Sequence, residues 1–93
     1  MNQDEPSGDQ GILFVYDTEE ILRFWMKNVN FPLDIIFFDS NMEEVDRTSM
    51  EPYKGEHDNH LKIYMPKKPA RFAVELPAGW CESNLKDKCN LKF

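Results

Sequence analysis

FWMKNVNFPLDIIFFD, residues 24–39, sets an amide, a lysine and an aspartate inside a run whose other side chains are mostly those of a protein core. Its second half decides the fold. LDIIFFD (33–39) is apolar on both alternating faces apart from Asp34, the pattern of a central strand covered on both sides. Just before it, residues 22–28 alternate in the strand manner. Leu22, Phe24 and Met26 face one side, and Arg23, Trp25 and Lys27 face the other. Pro32 separates the two segments, because a proline cannot donate to a sheet ladder and belongs at a strand's end or first residue.

Working outward, GILFVY (11–16) is rich in β-formers and runs into the polar turn Asp17-Thr18-Glu19-Glu20, behind a flexible lead-in over residues 1–10. Asp39-Ser40-Asn41 is a turn signal, and EEVDRTS (43–49) returns from it as an exposed strand, making a hairpin. Residues 50–70 carry Pro52, Pro66, Pro69 and both histidines and read as a long irregular loop with a short strand at 61–65. RFAVEL (71–76) alternates, with Phe72, Val74 and Leu76 inward and Arg71, Ala73 and Glu75 outward. WCESNL supplies about one helical turn, and KCNLKF a closing strand. The sum is an all-β chain, a single small β-sandwich or partly closed barrel. It has about six to seven short strands and at most one short helix near the C-terminus.

A chain of 93 residues with 41% hydrophobic and 13% aromatic content can build one modest core, and 30% charged residues give it a solvated surface. The net charge of −6 argues against a nucleic-acid partner, which calls for a basic patch to displace phosphate counterions. No apolar run approaches the roughly 20 residues of a membrane-spanning helix. The opening MNQDEPSGDQ is acidic and polar, unlike a signal peptide. The expected location is the cytoplasm, or outside it with an export signal removed. Cys81 and Cys89 default to free thiols in that setting, and the sequence leaves open whether they are bridged.

Lys27, Asn28 and Asp34 are the sharpest site candidates. If residues 22–28 and 33–39 pair as neighbouring strands, the three side chains converge, with Glu75 and Trp25 close by. In the ligand reading, Asp34 or Glu75 acts as a base and Lys27 anchors an anion. In the structural reading, which stands ahead of it, Asn28 serves the turn through Asn30 and Asp34 caps that turn or pairs with Lys27. A half-buried carboxylate needs such partners. His57, His60, Cys81 and Cys89 lack the close pair spacing of a structural zinc module, so no metal and no cofactor is expected. There is no G-x-S-x-G motif and no glycine-rich phosphate loop, which leaves catalysis unsupported.

Several of these stretches together resemble a known family, domain of unknown function 192 (DUF-192). They are Gly11-Ile12-Leu13-Phe14, Phe24-Trp25-Met26-Lys27-Asn28 and Pro32-Leu33-Asp34-Ile35-Ile36-Phe37, then Pro69-Ala70, Val74-Glu75-Leu76, Ala78-Gly79 and the tail at 85–93. The resemblance implies a compact β-sandwich or barrel-like domain, found mainly in bacteria and archaea, with no established activity. Two departures stand out. The family usually carries one more β segment before the glycine matched by Gly11, where this chain has the mostly polar stretch 1–10, and Lys86-Asp87 stands where a Gly-Asp turn is common. A strand lacking there leaves a sheet edge exposed for another chain, either a protein partner or a second copy. The expected function is a non-catalytic accessory or protein-interaction module. The alternative is a carbohydrate- or anion-binding domain built on the patch around Lys27, Asn28 and Asp34.

Overall fold

The computed structural model describes residues 5–53 and 62–92. Four strands, β1 (Ile12–Glu20), β2 (Leu33–Phe38), β3 (Glu44–Met50) and β4 (Ala70–Pro77), form one antiparallel sheet in the order β1-β4-β2-β3. One short helix, α1 (Trp80–Asn84), follows β4. The all-β expectation holds, but the described residues contain four strands rather than six or seven.

The missing strands are extended segments without a ladder. Residues 22–28 keep the predicted alternation in burial, yet among the described residues they pair by backbone with another extended segment only at the bridge Phe24–Tyr64, with reciprocal bonds of 2.9 and 2.7 Å. Of the stretch expected as a strand at 61–65, the described residues 62–65 contribute no more than that same bridge. The described residues of the closing segment likewise make one bridge, Glu43–Asn90. Alternation reports that a chain lies flat on a core, and a flat chain needs a neighbour in register before it becomes a strand.

β2 sits at the centre, and all six of its residues are buried. Its odd and even positions feed two cores. Leu33, Ile35 and Phe37 point to the first, which the 22–31 stretch, Met50, Tyr53 and Tyr64 close. Ile36 and Phe38 point to the second with Phe72 and Leu76, beneath Cys81, Trp80 and residues 85–91. Register fixes which side chains share a face: Ile35 lies opposite Glu75 and Thr48, and Asp34 opposite Leu76 and Ser49.

The turn between β2 and β3 is built by Asp39, whose Oδ1 accepts from the N–H groups of Asn41 (2.9 Å) and Glu43 (3.1 Å) while Met42 takes a left-handed φ of 63°. At the start of β1, Gly11 lies so close to β4 that a Cβ would stand 2.9 Å from Leu76 Cδ2 and 3.1 Å from the Glu75 carbonyl oxygen. Glycine is what lets the two strands meet there.

Candidate functional site

The structure does not bring Asp34 and Glu75 to one side of the sheet: they lie on opposite faces, as their register requires. Glu75, expected outward, is 0% exposed on the face of the first core, because the 22–31 layer covers a side that the alternation alone assigned to solvent. Ala73 is buried there too. Trp25 is 49% exposed, opposite the buried Phe24, and Lys27 is half-buried. Asn28 is exposed and holds a φ of 65° in a turn closed by Val29 N–H donating to the Met26 carbonyl at 3.0 Å. That conformation is one asparagine tolerates better than most side chains. His57 and His60 fall outside the described residues. Among the described residues no group of three or more His, Cys, Asp or Glu gathers to hold a metal.

Asp34 instead belongs to a cluster on the second face. Although 3% exposed, it accepts from Cys81 N–H at 2.9 Å and from Ser49 Oγ at 3.2 Å, and so joins β2 to β3 and to the first turn of α1. Glu44 repeats the device at the other end of β3. Its Oε1 accepts from Cys89 N–H at 3.0 Å, and Arg47 clamps the same carboxylate through Nε (2.7 Å) and Nη2 (2.6 Å). Nη2 also donates to the Asp87 carbonyl at 2.8 Å, inside the Lys86-Asp87 bend. Two carboxylates thus tie the 81–89 segment to the sheet, each through the backbone N–H of a cysteine. Glu44 was expected on an exposed strand, and is buried because that segment lies over it.

Electrostatics follow from this packing. Burial pushes the Glu44 carboxyl up, but the bonds from Arg47 and from Cys89 N–H outweigh it and hold the group below its ordinary range. Burial, and then the Asp34 carboxylate beside it, push the Cys81 thiol from an ordinary 9.0 up to about 12. Burial and Glu44 push Cys89 up as well. Both cysteines are free thiols, and both are protonated at neutral pH, a poor state for a nucleophile.

Two concave regions flank this segment. Between β2, β3 and α1 lies a cavity of about 260 Å³ lined by Asp34, Arg47, Ser49, Cys81 and Glu82 among others. Beside it, an apolar groove of about 240 Å³ runs over Ile36, Phe38, Val74, Leu76, Trp80 and Leu85. On the neighbouring β1, Leu13 and Val15 lie opposite Val74 and Phe72 and are 41% and 59% exposed. No strand of the described residues pairs with the outer side of β1. The far edge differs: the start of β3 is covered, with Glu44 N–H bonded to the Cys89 carbonyl at 3.1 Å and Leu91 N–H to the Met42 carbonyl at 2.7 Å.

No helix among the described residues is long and apolar enough to cross a membrane. A family model described as DUF192, "Uncharacterized ACR", matches residues 1–93. The UPF0127 proteins of Pyrococcus horikoshii and Pyrococcus furiosus are 41% and 39% identical to the chain, each over 51 residues, which is 55% of this chain and 37% of theirs. A crystal structure of a protein of unknown function from Novosphingobium aromaticivorans superposes with a TM-score of 0.78 at 22% identity, covering 94% of this chain and 60% of that one. That likeness shows a shared fold. The chain spans little more than a third of the length of these curated relatives.

Proposed function

The chain belongs to the DUF192 family, which is described as uncharacterized, and on that premise we propose that it is a non-catalytic β-domain that engages an extended segment of another protein along β1. The observation that carries this reading is the outer edge of β1, which no strand of the described residues pairs with, and the exposed Leu13 and Val15 on it. An unpaired edge offers a row of backbone donors and acceptors. Added strands use that row for affinity and alternate side-chain positions for specificity.

Charge narrows the partner. The second half of β1 carries Asp17, Glu19 and Glu20, and a register shift after Val15 bends it away from β4. Only residues 12–15 keep regular pairing on their inner side, so they are the ones fit to template a new strand. A segment with alternating apolar residues and a lysine or arginine at the end that meets 17–20 satisfies both halves. A second copy of the chain brings the same acidic run and a net charge of −6 to the contact, which disfavours it. The absence of a catalytic role is supported by the polar groups already committed to structure. Asp34 and Glu44 hold backbone N–H groups, and Cys81 is held protonated.

Selection from a library of displayed extended peptides tests this. Peptides enriched on the native protein should carry the apolar-alternating, basic-ended pattern and lose binding to Val15→Lys. Enrichment that Val15→Lys leaves intact, or none at all, sinks the reading. Light scattering on the eluting protein reports the competing outcome, a dimer.

The fold behind this reading extends the sheet toward a sandwich. The 22–31 layer stands over one face, and an added strand beside β1 would widen the other.

A further inference from the structure

We propose that the cavity between β2, β3 and α1 binds a neutral, polyhydroxylated small molecule through hydroxyl groups that donate to Asp34 and accept from Arg47. This inference is independent of the β1 reading, since the cavity lies over the β2–β3 half of the sheet, away from that edge.

The cavity of about 260 Å³ is the right scale for a ligand no larger than a small sugar or cyclitol. Its polar lining is held in place by bonds made elsewhere, so little ordering remains to be done when a ligand arrives. Asp34 is fixed by Cys81 N–H and Ser49 Oγ, one bond to each carboxylate oxygen. The Cys81 thiol bonds to the same carboxylate, so of the about four acceptor positions a carboxylate offers, roughly one remains. Arg47 is fixed by Glu44 and the Asp87 carbonyl through Nε and Nη2. Among the bonds of the described residues, its Nη1 donors are not taken. A buried carboxylate with one acceptor position to spare and a clamped guanidinium with spare donors therefore line one hollow.

Ligand classes differ in how much of this they can use. A cation uses Asp34 and leaves the Arg47 donors unmatched, at the cost of desolvating them for nothing. An anion uses Arg47 but meets Asp34, and Glu82 on the exposed side of α1 adds a second negative charge to the lining. A hydroxyl both donates and accepts, so adjacent hydroxyls on one molecule satisfy both residues at once. The Glu44–Arg47 pair also leaves the guanidinium less charge to offer an anion.

Amide-resolved NMR titration of the whole chain with myo-inositol and D-glucose, against inorganic phosphate and guanidinium as ionic probes, tests the proposal. Saturable shifts are expected at Ser49, Gly79, Cys81 and Glu82 for at least one polyol, with affinity about tenfold or more above either ion. Glu82→Trp changes an exposed residue and so keeps the fold, but it fills the mouth of the cavity and should abolish those shifts. Asp34→Asn, which exchanges acceptor positions for donors, should weaken them if thermal melting shows it folded. No saturable polyol shift, a polyol shift unchanged in Glu82→Trp, or tighter binding of phosphate or guanidinium overturns the assignment.

Discussion

On the face that carries Leu33, Ile35 and Phe37, the sheet is covered by a long extended stretch whose large side chains interlock with it. Phe24 meets Phe14 and Phe37 edge-on at 5.3 and 5.8 Å between centroids. On the face that carries Asp34, Ile36 and Phe38, the cover is a five-residue helix and a tail, and buried carboxylates pin it down by its backbone. One face is closed by apolar volume, the other by a few directed bonds over a partly open apolar floor. Volume is cooperative and hard to breach locally. Directed bonds can be lost one at a time, which makes the second face the place where the protein can open, bind and respond to pH.

The largest effect should come from breaching the first face. Phe37→Ala removes a fully buried ring at its centre and should cost about 3–5 kcal/mol, enough to unfold a marginal domain of this size. Urea denaturation measures it. A loss under about 1 kcal/mol would mean the two faces do not differ as described.

Asp34→Ala comes next, with an expected loss of about 1.5–3 kcal/mol, because it leaves the Cys81 N–H buried without its charged acceptor. The pattern matters more than the size. Amide exchange should rise sharply at residues 81–85 and hardly at all at 33–38. Uniform acceleration would show that Asp34 supports the whole sheet rather than the attachment of α1.

How far the sequence discloses these two faces follows from where the partners sit. The doubly covered strand is legible at 33–38, since a run apolar at both parities has only one comfortable place. The layer at 22–28 is legible in burial, Phe24 inward and Trp25 outward. Its lack of a ladder is not, because that depends on whether anything lies alongside, and among the described residues only Tyr64 bridges to it. Glu75 misleads because alternation gives parity and not what covers each side. The Asp34 cluster is hidden for another reason: its partners are 15 and 47 residues away, so no local spacing announces it. The one available hint was Glu44 and Arg47 three apart in a segment that otherwise reads as solvent-facing.

The two pH dependences of the second face have opposite signs. Cys81 has its folded pKa raised, from 9.0 to about 12, so the stability it contributes is fully present below 9.0 and is lost as pH rises toward 12. Cys81→Ala should flatten the alkaline limb of the stability curve. Glu44 has its folded pKa lowered, so its contribution is present above the ordinary 4.5 and is lost as the pH falls below it. Glu44→Gln should flatten the acid limb, and it should do so together with Arg47→Ala rather than additively, since both break one clamp. Equal pH sensitivity in Phe37→Ala and native protein, with these limbs unchanged in the cysteine and glutamate variants, would detach the pH response from the second face.

The smallest expected change in stability tests the open margin of that face. Val15→Lys should alter the unfolding free energy by no more than about 0.5 kcal/mol, because the side chain is 59% exposed at the sheet edge and its removal uncovers little. The same substitution places a charge on the apolar strip beside the groove and on the strand edge proposed to receive a partner, the way natural sheets blunt an edge they do not use. A large loss of stability would place Val15 within the second core, and the open edge would cease to exist as a separate feature. A small one, coupled to lost peptide capture, would show that this margin is kept apolar for something other than holding the fold together.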